Sequence, residues 1–270
     1  MNEPINIPIE PVSALLREVA DTTVLPKFSN LDRDEVEEKS PGEIVTAVDR
    51  EAEELLSTRL LSLLPGSRVV GEEATAKTPG LLDGLDQGLV WLVDPIDGTA
   101  NYAAGDSRFA IMIALLRDGE AVASWIHQPV LSRTWVAERG GGAWVNGHRT
   151  QITMSGPAET KSALVRSRFF PESFKQGLRE KDFHDLDVSQ GAGCAGVDYP
   201  DLIAGRWRFI LYWRTLPWDH VPGALLASEA GATVARLDGA AFEAHASQVG
   251  LLIAPNAELW ADARRRFPAL

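Results

Sequence analysis

Leu89-Val90-Trp91-Leu92-Val93 runs directly into Asp94-Pro95-Ile96-Asp97-Gly98-Thr99, and this junction constrains the chain more than any other stretch. An unbroken apolar run of this length, bounded by turn residues, reads as a strand. The turn leaving it carries two carboxylates three positions apart, followed by Gly-Thr, so oxygen ligands and backbone N–H groups converge on one small volume. A divalent cation and a phosphate both need that combination. A structural alternative stands beside it: Asp-Pro and Asp-Gly are turn dipeptides, and Asp97 also suits the cap of a helix beginning near Thr99.

The rest of the chain can fill a sizeable core around such a strand, since 45% of its 270 residues are hydrophobic. Acidic residues outnumber basic ones by 38 to 26, for a net charge of -12, and Arg264-Arg265-Arg266 is the longest basic run. Nonspecific binding to nucleic acid or to an anionic membrane is therefore disfavoured, although a local basic pocket is compatible with the balance. The lone cysteine, Cys194, cannot form an internal disulfide, and Met1-Asn2-Glu3-Pro4 has neither the basic nor the apolar region of a signal peptide. No apolar stretch approaches the roughly 20 residues of a membrane helix. A soluble, cytoplasmic protein is expected.

Pro11 to Phe28 shows near-helical spacing of Val12, Leu15, Leu16, Val19 and Val24, interrupted by Pro26. Leu31 to Glu43 is highly charged, ends in Ser40-Pro41-Gly42, and reads as a mobile loop near the site. Thr46 to Leu64 returns to a helix, with Val48, Ala52, Leu55, Leu56, Leu60 and Leu63 on one face and Glu51, Glu53, Glu54 and Arg59 outside it. Pro65-Gly66 stops it, and the short strand Arg68-Val69-Val70 leads into Gly71-Glu72-Glu73. Phe109–Leu116 and Ala121–His127 form a hairpin around Arg117-Asp118-Gly119, and Thr134–Ala137 and Ala143–Val145 add two more strands of an antiparallel sheet. The last third mixes strands (Ala163–Val165, Phe209–Tyr212, Gly250–Ile253) with helices such as Val221–Ala230, ended by Gly231. No composition shift marks a linker, so one domain over residues 1–270 is expected, with sub-regions of about 1–155 and 156–270.

Other carboxylates sit at similar element ends. Glu72 follows a strand directly, where its side chain can point into a cleft; Glu73 is the more ordinary candidate for a surface acid, because adjacent strand residues face opposite ways. Asp219 follows the aromatic-rich run Trp207–Trp218 and precedes a helix near Val221, which suits a helix cap. Burial beside Trp218 makes an unpaired carboxylate costly and favours a cation partner. Asp49 completes the capping-box pattern Thr46-Ala47-Val48-Asp49; the competing role is to hydrogen-bond Thr99 and aim that hydroxyl at a water. Glu72, Asp94, Asp97 and Asp219 offer oxygen only, which selects Mg²⁺ or Mn²⁺ over zinc or copper. So many carboxylates beside an anionic substrate imply two or more ions, since the group repels itself and a phosphate otherwise.

His127, His148, His184, His220 and His245 show no spacing that suggests a relay. Cys194, in Gly191-Ala192-Gly193-Cys194-Ala195-Gly196, has nothing basic nearby and reads as a small buried residue. The same glycine-rich stretch lacks the Lys-Ser/Thr ending of a P-loop.

Four segments together resemble the inositol monophosphatase family of metal-dependent, lithium-sensitive phosphatases: Ile44-Val45-Thr46-Ala47-Val48-Asp49 with Glu51-Ala52-Glu53, Gly71-Glu72-Glu73, Trp91 to Tyr102, and Trp218-Asp219 followed by Gly223 and Glu229-Ala230-Gly231. The resemblance implies a layered αβαβα sandwich, an α/β fold with an antiparallel sheet half and a mixed-sheet half, commonly as a homodimer. It implies two or three Mg²⁺ ions, replaceable by Mn²⁺, on Glu72, Asp94, the Ile96 carbonyl, Asp97 and Asp219. It further implies catalytic roles for Asp49, Thr99 and Glu72, with Asp97, Gly98 and Thr99 at the phosphate and no covalent phosphoenzyme.

The expected reaction is hydrolysis of a small, inositol-monophosphate-like phosphate monoester. Inositol-specific relatives carry a glutamate seven positions before the Trp-Asp aspartate, where this chain has Tyr212. Cys194-Ala195 matches the family's small-residue substrate loop. Arg214 and Arg168 suit a second anionic group, as on a bisphosphate nucleotide or fructose 1,6-bisphosphate, or else are surface arginines; histidinol phosphate is a further alternative. Some members of the family act instead as partner-binding regulators with dispensable catalysis.

Overall fold

The computed structural model describes residues 5–31, 36–40, 43–152, 160–179, 181, 183–244 and 249–268. Helix α1 (Ile9–Val19) buries Val12, Leu15, Leu16 and Val19 along one face, then loosens through a π-helical turn (Ala20–Val24) into a 3-10 turn holding Pro26 (Leu25–Lys27). The charged stretch after it is not a plain loop. Strands β1 (Val36–Ser40) and β2 (Glu43–Thr46) pair antiparallel, with Val36 opposite Thr46, and their charged side chains suit a two-stranded ribbon exposed to water. Pro41-Gly42 and His245 lie outside the described residues.

Helix α2 (Ala47–Leu63) starts on a complete capping box between Thr46 and Asp49. Strand β3 (Arg68–Gly71) leads straight into α3 (Glu72–Lys77). The adjacent glutamates therefore do not alternate as strand residues. They open a helix, and it is Glu73 that is buried while Glu72 is half-buried, the reverse of the strand expectation. Strand β4 (Leu89–Asp97) carries the opening motif to its end, with an irregularity in its pairing between Asp94 and Asp97. Gly98 then turns the chain at φ 84° into α4 (Thr99–Ala103), so the residue at the cap is Gly98 and not Asp97.

Strands β5 (Ala110–Arg117), β6 (Glu120–Gln128), β7 (Arg133–Glu138), β8 (Gly142–Val145) and β9 (His148–Thr150) follow as a meander. Two of its turns, Asp118-Gly119 and Asn146-Gly147, place both residues at positive φ, the two-residue geometry that matches strand twist. The resulting seven-stranded sheet has the order β3-β4-β5-β6-β7-β8-β9; β3 joins β4 parallel, and the rest are antiparallel.

The remaining elements are β10 (Ser162–Arg166), α5 (Glu172–Leu178), β11 (Asp187–Ser189), α6 (Ala195–Ile203), β12 (Ile210–Arg214), α7 (Pro217–Glu229), β13 (Thr233–Arg236), β14 (Val249–Ala254) and α8 (Ala257–Arg265). A second sheet orders its five strands β11-β10-β12-β14-β13; β10 runs parallel to both β11 and β12. Helix α7 begins four residues earlier than the apolar pattern suggested, with Pro217 as its first residue, because proline's fixed φ and missing N–H suit that position.

The layers follow from which faces are apolar. Trp91, Val93, Ile111, Ile113 and Trp125 of the large sheet pack on α1 and α2. Met112, Ile126 and Ala137 on the opposite face meet Tyr199 and Leu202 of α6 and Leu225 and Leu226 of α7, which in turn cover Ile210 and Ile253 of the small sheet. Phe174 of α5 and Leu259 and Ala263 of α8 close the outer face over Val165 and Leu211. This is an αβαβα stack. Within it Val90 and Leu92 face Trp218 and Val221 of α7, so strand alternation carries Asp94 toward the same helix. No helix among the described residues is long and apolar enough to cross a membrane.

Candidate active site

One cavity gathers most of the expected residues. Its acidic side comes from α3, the end of β4, α4 and the first turn of α7; its other side comes from the carboxyl ends of β10 and β12. Such strand ends are where open α/β sheets bind ligands.

Glu72, Asp94 and Asp219 bring ligand oxygens within 4.8 Å of one another. Asp94 is almost wholly buried, and its Oδ1 accepts the Ile96 N–H at 3.1 Å. Burial, reinforced by the neighbouring Glu72, Asp97 and Asp219 charges, holds the Asp94 carboxyl well above the usual carboxylate range. Asp219 is pushed up in the same way, first by burial and then by Glu72 and Asp97. Glu72 rises to about 7 by burial, although the Lys39 ammonium opposes the shift. Three acids so raised form a set that gains by sharing a cation.

The donors fit a hard divalent ion. All are oxygens, and the neighbouring His220 and Cys194 side chains bond groups outside the triad. His220 has its Nδ1 3.4 Å from the Tyr199 hydroxyl and a backbone hydrogen bond to Arg214, and burial pushes its pKa down to about 3. Cys194 Sγ donates to Asp97, 3.3 Å from its carbonyl and 3.1 Å from Oδ2. Oxygen-only sets of this kind suit hard divalent cations and not zinc or copper.

Asp97 and Ile96 line the same cavity but stand beside the triad. Asp97 Oδ2 also accepts the Gly196 N–H at 2.5 Å, so this carboxylate fastens the start of α6 to the motif. The Ile96 carbonyl accepts the Thr99 hydroxyl at 2.8 Å. Thr99 Oγ1 is also within hydrogen-bond distance of Asp49, 3.0 Å from Oδ1, while Asp49 Oδ2 accepts the Thr46 N–H at 2.8 Å and hydroxyl at 2.6 Å. The cap and the Thr99 contact therefore coexist on one carboxylate. Burial pushes Asp49 up to about 6 against these stabilising bonds.

Gly98 cannot be replaced without cost: a Cβ there would lie 3.0 Å from Cys194 Cβ and 3.1 Å from the Arg108 carbonyl, at a φ that L residues avoid. The N–H groups of Asn101 and Tyr102 bond the Gly98 carbonyl at 2.9 and 3.0 Å, and Gly98 itself supplies no side-chain cap to the start of α4. Cys194 and Ala195 line the cavity and are buried, as a small-residue loop requires. Tyr212 also borders it, but its hydroxyl donates to Asp198 at 3.2 Å. Arg214 reaches the rim, with Nη1 2.5 Å from Glu43 of β2.

Four residues outside the sequence-level site belong to this structure. Lys39 of β1 bonds both Glu72, at 3.2 Å, and Glu73. Glu53, assigned above to the solvent side of its helix, is buried and accepts the N–H groups of Glu73 and Ala74. Asp198 accepts the Ala192 N–H at 2.8 Å and so orders the loop before Cys194. Arg166 lines the cavity and donates to the Gln190 carbonyl at 2.9 Å. Lys39, Glu53 and Arg166 act across separations of 20 residues or more, which leaves no local pattern to read, except that Glu53 stands in the quoted Glu51-Ala52-Glu53 segment; Asp198 acts only six residues away, in a loop without a recognisable motif.

Known proteins resemble this chain over most of its length. The sequence model of the inositol monophosphatase family matches residues 9–267. An inositol-1-monophosphatase of Mesorhizobium japonicum is 32% identical over 220 residues, covering 78% of this chain and 79% of that one. A Pseudomonas aeruginosa protein named Nus factor SuhB is 30% identical over 236 residues, 82% of each chain. The solved structure of a Thermotoga maritima IMPase superposes with a TM-score of 0.77 at 28% identity, over 93% of this chain and 92% of that one.

Proposed function

The chain belongs to the inositol monophosphatase family, and on that premise we propose that it is a Mg²⁺-dependent phosphatase that hydrolyses a small phosphate monoester with an attacking water and no phosphoenzyme. The observation that carries the reading is the triad Glu72, Asp94 and Asp219, whose ligand oxygens lie within 4.8 Å of one another beside a cavity that Thr99, hydrogen-bonded to Asp49, also lines. Glu72, Asp94 and Asp219, extended by Asp97 and the Ile96 carbonyl, would hold two or three ions. Bound there, Mg²⁺ or Mn²⁺ supplies charge neutralisation at the phosphoryl oxygens and acidifies a water.

The chain's own groups divide the remaining work. The backbone N–H groups of Gly98 and Thr99 receive phosphoryl oxygens at the start of α4. Thr99 has a single hydroxyl proton and two acceptors, Asp49 Oδ1 and the Ile96 carbonyl. When that proton points to Asp49, the Thr99 oxygen presents a lone pair to the water and aims it; Asp49 is the group that holds the proton's far end. Cys194 and Ala195 leave room for the departing alcohol.

Phosphate release from a panel of inositol phosphates, sugar phosphates, adenosine 3′,5′-bisphosphate and histidinol phosphate, with Mg²⁺ and with chelator, tests the reading. Metal-dependent release is expected; no release from any compound with Mg²⁺ or Mn²⁺ overturns it. Lithium inhibition, a homodimer and a cytoplasmic location are proposed on family grounds, the first two checked by Li⁺ titration and light scattering.

A partner-binding role with dispensable catalysis is the second reading, and the similarity to the protein named Nus factor SuhB favours it. Asp94→Asn separates the two: cellular function retained without catalysis supports the binding role.

A further inference from the structure

Three arginines gather on the wall of the cavity opposite the carboxylate triad. Arg166 ends β10 and pairs in register with Tyr212 of β12, so the residues just beyond, Arg168 and Arg214, leave the two parallel strands side by side. Both guanidinium groups pack against the ring of Phe169, with Cζ 5.1 Å from its centroid for Arg168 and 4.0 Å for Arg214. Contacts at these distances fix a planar cation by its face. Phe169 is 39% exposed, so the assembly stands at the mouth of the cavity and not in a core. The Glu43 contact engages Nη1 of Arg214.

Donors dominate this wall, and the carboxylate that borders it, Glu43 of β2, is already bonded to Arg214. Tyr212 gives its hydroxyl to Asp198, and Asp198 lies behind it, outside the cavity lining. The side chains that β10 and β12 bring to the cavity are therefore guanidinium donors and aromatic rings, with no carboxylate among them. Polyol hydroxyls need acceptors as well as donors; an anionic oxygen cluster needs donors alone.

We propose that Arg168 and Arg214 receive a second anionic group carried by the leaving alcohol, so that the preferred substrate is a phosphate monoester bearing a second phosphate. The inference rests on the phosphatase reading above and names its substrate class. The triad end of the cavity takes the scissile phosphate, and the arginine end selects for the distal one through bidentate, charge-assisted bonds.

Matched pairs test it: adenosine 3′-phosphate against adenosine 3′,5′-bisphosphate, and fructose 1-phosphate against fructose 1,6-bisphosphate. The readout is the ratio of kcat/KM between the members of a pair. A ratio of about ten or more in favour of the bisphosphate is expected in at least one pair, expressed mainly in KM and shrinking as salt is raised. Arg214→Gln and Arg168→Gln should each pull that ratio toward one. Glu43→Gln distinguishes anion binding from mere fastening of the β1–β2 ribbon: it should leave the preference in place, whereas a fastening role predicts that it copies Arg214→Gln. Equal rates for both members of both pairs, or a ratio indifferent to both arginine substitutions, overturns the proposal. If no compound is hydrolysed, the phosphatase reading fails by itself. Calorimetric binding of adenosine 3′,5′-bisphosphate and adenosine 3′-phosphate to the parent protein and to Arg214→Gln, with Ca²⁺ present, then decides the inference: bisphosphate selectivity lost in the variant upholds it, and none in the parent overturns it.

Discussion

Glu53 closes over the start of α3 through Glu73: its Oε2 accepts the Glu73 N–H at 2.7 Å, and its Oε1 accepts the Ala74 N–H at 2.8 Å. A carboxylate from α2 thus caps the helix that begins with Glu72. The fit is tight, since a Cβ on Gly71 would lie 2.3 Å from the Glu53 carboxyl carbon. Glu53→Gln keeps one acceptor and loses the other, so α3 and Glu72 with it shift. A drop of about 10- to 100-fold in Mg²⁺ affinity is expected, the range seen when groups supporting metal ligands are altered. Gly71→Ala should move the same quantity in the same direction. Titration of Mg²⁺ by calorimetry checks both; an unchanged affinity in Glu53→Gln rejects the capping role.

Thr99 spans the Asp49 and Ile96 oxygens with one hydroxyl. Thr99→Ala removes the group that aims the water, and kcat should fall by about 10²- to 10⁴-fold, the usual worth of a positioned proton-transfer group. Thr99→Ser keeps the oxygen and should stay within about ten-fold of the parent on the same scale. Steady-state kinetics on whichever monoester is turned over provides the comparison, and equal loss in the two variants removes the hydroxyl from the mechanism.

Much of the fold was legible because its signals are local. The Asp118-Gly119 and Asn146-Gly147 turns announce themselves, since two-residue hairpin turns demand positive φ at both positions. The capping box of α2 and the apolar run of β4 are equally self-contained. The site residues that escaped depend on distant partners. Glu53 looks like a solvent-facing helix acid until α3 arrives above it, and Lys39 sits in a charged stretch whose ribbon pairing depends on a register invisible in composition. Helix α6 was hidden for a different reason: it follows a glycine-rich stretch and contains Pro200, features that ordinarily end helices. Tertiary packing of Tyr199 and Leu202 against the large sheet overrides both.

Asp94 sits fully buried among other acids, and at neutral pH its ionised form works against the metal-free fold. Asp94→Asn removes that charge. In chelator the variant should melt at a higher temperature than the parent, yet gain less on adding Mg²⁺, because a ligand stabilises in proportion to its affinity for the native state. Thermal melts of both proteins with and without Mg²⁺ measure the crossing. A variant less stable than the parent in chelator contradicts the repulsion argument.

Gly223 lets α7 lie against α6: a Cβ there would be 2.1 Å from the Tyr199 ring. Tyr199 has no space to yield, being fully buried and close to the rings of Tyr212 and His220. Gly223→Ala should therefore cost about 1–3 kcal/mol by overpacking, despite alanine's better helix propensity. Denaturant unfolding gives the value, and a stability gain would mean that the two helices separate without strain.

His127 should make the fold sensitive to mild acid. Its ring is buried in β6 with Nδ1 2.9 Å from the Thr134 hydroxyl, and burial, aided by the Arg17 charge and opposed by Asp21, pushes its pKa down from 6.5 to about 4. Below pH 6.5 the unfolded chain takes up a proton that the native ring refuses until about pH 4. Stability from this residue is thus intact at neutral pH and declines as pH falls through that window, by about 3 kcal/mol in total from the size of the shift. Carboxylates with raised values, such as Asp49 and Asp198, act in the opposite direction, since their protonation favours the native state. The His127 contribution is therefore read as a difference: Asn in its place keeps a partner for Thr134 and does not titrate. Unfolding free energies of the parent and His127→Asn, measured in chelator between pH 7 and pH 4, should converge or cross as acid is added. Parallel curves would show that the imidazole protonates as readily in the native protein as in the unfolded chain.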